Sequence, residues 1–74
     1  MIKAHFILLG TTTFEIDGKK VTYEGLLNKR GKAFGNGTAT RVDSPDVSYA
    51  GTFRDNELHG LGKIYYQNFY QLLL

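Results

Sequence analysis

The sequence predicts an all-β protein, a single-layer antiparallel meander of about six short strands. Three observations lead there. Side chains alternate with a period of two, with Thr12, Phe14 and Ile16 on one face and Thr11, Thr13 and Glu15 on the other, the pattern of a half-buried strand. Asp17-Gly18 follows at once; this pair suits a two-residue hairpin turn, whose central positions both need positive φ. Nine Gly stand against one Pro, which favours tight turns and close backbone approach over helices.

Taken in order, the apolar run 6–9 is too brief for a signal-peptide core or a membrane span and is expected to form a first strand. Residues 11–16 and 19–27 make the next two around Asp17-Gly18. A polar loop, 28–32, contains Gly31 and leads to an extended stretch at 34–42. Asp43-Ser44-Pro45-Asp46 is a turn. Strand 47–53 follows, 55–60 turns the chain, and 61–67 completes the meander. In the tail, Tyr66, Phe69, Tyr70 and Leu73 fit one face of a short C-terminal helix, while the aromatic content also suits a strand; the helix is the expectation.

A chain of 74 residues makes a single domain, 1–74, and at this size folding buries only about 60% of the surface of the unfolded chain. With no Cys and two His, neither a disulfide nor a structural zinc set is available. Stability must then come from hairpin packing, self-association or a partner. Absence of Cys fits an intracellular setting.

Internal similarity is the most informative feature. Tyr23-Glu24-Gly25 recurs as Tyr49-Ala50-Gly51, and each is followed by a Gly-x-Gly pair, Gly35-Asn36-Gly37 and Gly60-Leu61-Gly62. Tyr49, Gly51 and Phe53 share one strand face, so the glycine is expected to leave bare backbone for a ring from a neighbouring hairpin.

The arrangement resembles the MORN repeat, with the pattern Tyr-x-Gly-x-aromatic, an Asn- and Gly-rich turn, then His-Gly-x-Gly and an aromatic-rich strand. The copy at 49–66 fits best, with Phe53 where the family usually has Trp and His59 before Gly60. The copy at 23–42 departs, with Leu27 at the aromatic position, Phe34 in place of His and one extra residue before Gly35. The resemblance leaves room for a degenerate earlier half-repeat before the first copy, with Gly10 standing for its glycine. The resemblance implies MORN-type hairpins in which Tyr23, Gly25, Gly35, Gly37, Tyr49, Gly51, Phe53, His59, Gly60 and Gly62 have structural roles.

Catalytic chemistry finds few candidates. His5, His59, Ser44 and Ser48 do not converge, and Asp43, Asp46, Asp55 and Glu57 offer no recognised metal-ligand spacing. Gly35-Asn36-Gly37 lacks the Lys-Ser or Lys-Thr of a phosphate loop. No enzyme activity, cofactor or metal is expected. The charge is +2, too slight to require nucleic acid. In a meander, Lys19-Lys20 share one edge with Asp43 and Asp46, while Lys29, Arg30 and Lys32 share the other with Asp55 and Glu57, so no continuous basic stripe forms.

Aromatic and apolar groups at the C-terminal end make the better lead: Tyr65, Tyr66, Phe69, Tyr70, Leu72, Leu73 and Leu74, as a partner surface or an intramolecular cap. The function expected is a non-enzymatic protein-interaction or assembly module, an accessory subunit or scaffold piece docking on a larger complex, with homo-oligomers allowed. The alternatives are a small phage-like inhibitor and an anionic-lipid-binding module.

Overall fold

The computed structural model describes residues 8–66. They form one open antiparallel sheet in sequence order: β1 (Leu8–Ile16), β2 (Lys19–Leu27), β3 (Ala33–Arg41), β4 (Val47–Arg54) and β5 (Glu57–Tyr66). The all-β meander therefore stands, with five strands among the described residues. Leu8 and Leu9 run on through Gly10 into 11–16 as one strand paired with β2. A separate N-terminal strand would need a turn at Gly10, but Gly10 is extended and pairs with Gly25. The C-terminal helix expected over the tail lies outside the described residues.

Turn chemistry explains the connections. Asp17 (φ 51°) and Gly18 (φ 77°) make the first hairpin turn as expected. Asp55 (φ 51°) and Asn56 (φ 66°) make the last one, so β5 starts at Glu57, four residues before the expected Leu61. Asp and Asn tolerate this backbone because their short side chains bond locally. Pro45 occupies the second position of a turn closed by Val47 N–H to Ser44 O at 2.9 Å. Arg41 donates to both oxygens of Asp43 (3.0 and 2.9 Å) across the same bend, which holds the Asp43 carboxyl below its ordinary range. In the 28–32 loop the Asn28 side chain accepts from the N–H groups of Arg30 and Lys32.

One face of the sheet is apolar and carries the core. Val21, Tyr23, Ala33, Ala39 and Phe53 are buried there, with Phe14, Ile16, Leu27 and Tyr49 packed against them. From Leu9 onward the burial on β1 alternates residue by residue, and the inward set includes Thr12, Phe14 and Ile16 as expected. Phe14 and Phe53 are 6.3 Å apart between ring centroids, yet their strands are three positions apart in the sheet. In a flat sheet that separation is about 14 Å. The sheet is therefore coiled, and among the described residues its apolar face closes over itself in place of a second layer.

A row of five glycines runs across the sheet in register: Gly10 opposite Gly25, Gly25 opposite Gly37, Gly37 opposite Gly51, and Gly51 opposite Gly62. A Cβ on Gly25 would lie 2.5 Å from Gly37 Cα, and one on Gly51 2.8 Å from Gly62 Cα. Within each hairpin the two backbones thus approach more closely than side chains permit.

Beside each close pair sits a bulge. One residue separates Gly25 from Leu27, whereas three separate their partners Gly37 and Ala33. Likewise one residue separates Gly51 from Phe53, against three between Gly62 and Leu58. The middle bulge residues are Gly35 (φ 109°) and Gly60 (φ 84°). The two glycines of each Gly-x-Gly pair thus serve different ends, the first turning the bulge and the second admitting the neighbouring backbone.

Tyr23 uses the space so made. Its ring lies on Gly37 of the paired strand, where any Cβ would collide with the ring edge. The hydroxyl shares its one proton between Leu26 O at 2.7 Å and, more weakly, Asn36 O at 3.2 Å, both carbonyls at the bulge. Phe53 packs on the ring edge-on at 4.9 Å and 76°, and Phe14 at 5.9 Å. The glycine expected to receive a ring, Gly51 between Tyr49 and Phe53, instead faces the backbone of Gly62, as Gly25 faces that of Gly37; the ring lies on Gly37 and comes from the same hairpin, while the neighbouring hairpin contributes Phe53, which covers the tyrosine.

Two hairpins are also tied by Asn56, whose Oδ1 accepts from the buried Ala33 N–H at 2.8 Å while its own N–H donates to Ala33 O at 3.2 Å. Asn56→Ala should lower stability by about 1–3 kcal/mol, because it leaves a buried donor unpaired. Asn56→Asp, which keeps the acceptor, should retain most of it; urea unfolding of the pair decides.

Substitution of the two close-approach glycines should separate packing from backbone effects. Gly37→Ala drives a methyl into the Tyr23 ring and should cost about 1–3 kcal/mol or more. At Gly62 the nearest atom to a new Cβ is Ala50 O at 3.1 Å, so Gly62→Ala should cost clearly less. Equal losses in chemical denaturation would rule out the ring as the cause.

Burial raises the Tyr23 hydroxyl above the ordinary tyrosine value. A raised folded-state pKa contributes stability that is present below the unfolded value of about 10 and is lost as pH climbs through the folded value. Tyr23→Phe should remove that alkaline component, as read from unfolding midpoints against pH together with tyrosinate absorbance.

Candidate interaction surface

The second hairpin repeats the backbone of the first but not its cover. Tyr49, Gly51, Gly60 and Gly62 occupy the places of Tyr23, Gly25, Gly35 and Gly37. A Cβ built at Gly62 would meet only backbone atoms of Ala50 and Gly51. Tyr49 is half-buried against the core and joins no ring pair among the described residues. The reason is positional. Tyr23 is pressed down by Phe53 of the following copy, and no described residue stands in that place for Tyr49.

A recess of about 330 Å³ remains, lined by Tyr49, Leu58, Gly60, Gly62, Lys63 and Ile64 of the last hairpin with Ile16 and Asp17 from the coiled-over β1 end. All ten residues of β5 are exposed. Leu58, Ile64 and Tyr66 belong to the inner apolar face, Leu61 (95% exposed) and Tyr65 to the outer one. On β3, the corresponding strand one copy earlier, Ala33 and Ala39 are fully buried.

Of the residues expected to contact a partner, Tyr65 and Tyr66 stand exposed on opposite faces of β5. Phe69, Tyr70, Leu72, Leu73 and Leu74 lie outside the described residues. Leu58, Leu61 and Ile64 escape sequence reasoning, since a period-two strand beginning at Glu57 becomes legible only once Asp55-Asn56 is read as a two-residue turn.

Other sequence candidates separate in space. His59 is exposed on β5 near the β4–β5 turn, whereas Ser44 donates to Asp46 at 3.0 Å in the β3–β4 turn at the other end of the sheet. Among the described residues no group of three His, Cys, Asp or Glu could hold a metal ion. Lys19 acts electrostatically on Asp43 at one sheet end; at the other, Asn28 of the basic loop donates to Asp55 at 3.3 Å. No helix among the described residues is long and apolar enough to cross a membrane.

A family model described as MORN repeat matches residues 49–69. It covers the second copy alone; the first, with Leu27, Phe34 and its longer loop, nevertheless has the same bulge and close glycine pair. Neither a curated protein nor a solved structure matches the chain significantly. MORN repeats typically mediate protein or membrane-lipid interactions and are generally non-enzymatic. The bulge glycine and the close glycine pair of the second copy both fall inside the segment, 49–69, that is similar to a MORN repeat.

Proposed function

We propose that the chain is a non-enzymatic protein-interaction module that docks through its last hairpin, as a small accessory or scaffold piece of a larger assembly. One observation carries the reading: β5 is exposed along its whole length while its counterpart β3 is sealed by the next hairpin. A sheet edge with free backbone groups and apolar side chains is a template for another strand. Leu58, Ile64, Tyr65 and Tyr66 supply the described part of the contact, and Phe69, Tyr70, Leu72, Leu73 and Leu74 extend it along the sequence. A protein partner is favoured over anionic lipid because the two basic clusters sit at opposite sheet ends, each beside carboxylates.

Tagged purification from the native source tests this. A stoichiometric protein should co-purify with the unmodified chain, and Ile64→Asp or deletion of 68–74 should weaken its retention about tenfold or more, the effect of losing a central apolar anchor. Retention unchanged by both variants would exclude the last hairpin as the docking surface.

A further inference from the structure

We propose that β5 pairs with β5 of a second copy of this chain, antiparallel about a two-fold axis at Gly62. The inference rests on reading β5 as the interaction strand and names what it binds.

Comparison of the two copies fixes which edge is open. Although β3 is bulged toward β2, its far edge is regular: residues 34–40 pair without interruption from Phe34 opposite Arg54 to Thr40 opposite Ser48. Superposing Gly35 and Gly37 on Gly60 and Gly62 makes 59–65 the same edge of β5. Bonding direction agrees. Antiparallel pairs alternate between a close spacing without mutual hydrogen bonds and a wider, bonded one, at about 4.5 and 5.5 Å. Gly51 and Gly62 are a close pair, so the N–H and C=O of Gly62 point away from β4. Gly37 is likewise in a close pair with Gly25 and faces Gly51 with its own polar groups.

The segment 59–65 is centred on Gly62 and therefore self-complementary. Antiparallel pairing sets Gly62 against Gly62 of the other copy, Leu61 against Lys63 and Gly60 against Ile64. The glycine row continues unbroken from one sheet into the next. On the inner face each Ile64 meets a position without a Cβ; on the outer face each Leu61 lies beside the aliphatic stem of Lys63. Lys63 is the one charged residue in the segment, and the register never opposes two like charges. Residues 57–66 also contain no proline to block a new strand.

The test is the mass of the purified full chain by size exclusion with light scattering over a concentration series. A dimer is expected. Leu61→Lys sets two lysine pairs face to face and should raise the dissociation constant about tenfold. Leu61→Glu, facing Lys63, should leave it equal or tighter, and Leu61→Lys with Lys63→Glu should restore it. Both positions are exposed, so unfolding of the dilute monomers should be alike. A monomer at every concentration, or a dimer indifferent to this charge exchange, overturns the two-fold pairing. The docking reading fails separately: a monomer that still retains another protein removes only the dimer, and a charge-sensitive dimer that retains nothing else removes only the other partner.

Discussion

Each strand gives one glycine to a row that crosses the sheet, and the remaining structure depends on the backbone contact this permits. At Gly25–Gly37 and Gly51–Gly62 the strands close to a distance that a Cβ on Gly25 or Gly51 would forbid. Close approach opens a floor on which Tyr23 can lie flat, and the ring then sends its hydroxyl to two carbonyls at the bulge. Glycine in a strand ordinarily weakens it, through lost packing and added chain entropy. Here the loss is offset because the aromatic ring of the same hairpin fills the vacated space, so the strand's weakness and the core's main anchor are one feature.

Coiling follows from the same arrangement. A single sheet with one apolar face has no second layer to bury it, and the usual solution is a helix or another sheet. This chain brings Phe14 of β1 over to Phe53 of β4, with Tyr23 between them. Glycines with positive φ at the bulges supply the local bend, and bulges increase right-handed twist. Among the described residues the fully buried large side chains number three, Tyr23, Phe53 and Val21, each contributing on the order of 1.5–3 kcal/mol at full burial. So small a core makes each interhairpin tie, such as Asn56 to Ala33, a large share of the whole.

Much of this is legible in the sequence. Period-two alternation places Phe14 and Ile16 inward, Asp17-Gly18 marks its turn, and the spacing of Tyr-x-Gly and Gly-x-Gly marks both copies. Other features are hidden for physical reasons. Asp55-Asn56 carries no glycine, so its two positive φ values are signalled only by residues that tolerate such a backbone without requiring it, and a strand judged by its apolar residues starts four residues late. A ring over glycine is visible as composition, but whether it comes from the same or the next hairpin depends on strand register, which the two-residue offset at each bulge decides. The open surface is half legible: Tyr65 and Tyr66 stand out as aromatics, whereas Leu61 and Ile64 become candidates only because their strand has no outer neighbour among the described residues.

Repeat architectures stabilise each unit by its neighbours, so a unit that a neighbour covers differs from an uncovered one in what lies on it and not in how it is built. Among the described residues the two copies show that difference. Their bulges, close glycine pairs and tyrosine positions agree, yet Tyr23 is fully buried under Phe53 while Tyr49 borders an open recess. The first hairpin therefore acts as an internal standard for the second: it shows which atoms a neighbour must supply, namely a strand along 59–65 and apolar side chains over the inner face. That requirement is set by geometry alone and applies to any occupant. A strand whose own centre is Gly62 meets it at once, because the edge that is exposed and the edge that would cover it are the same seven residues.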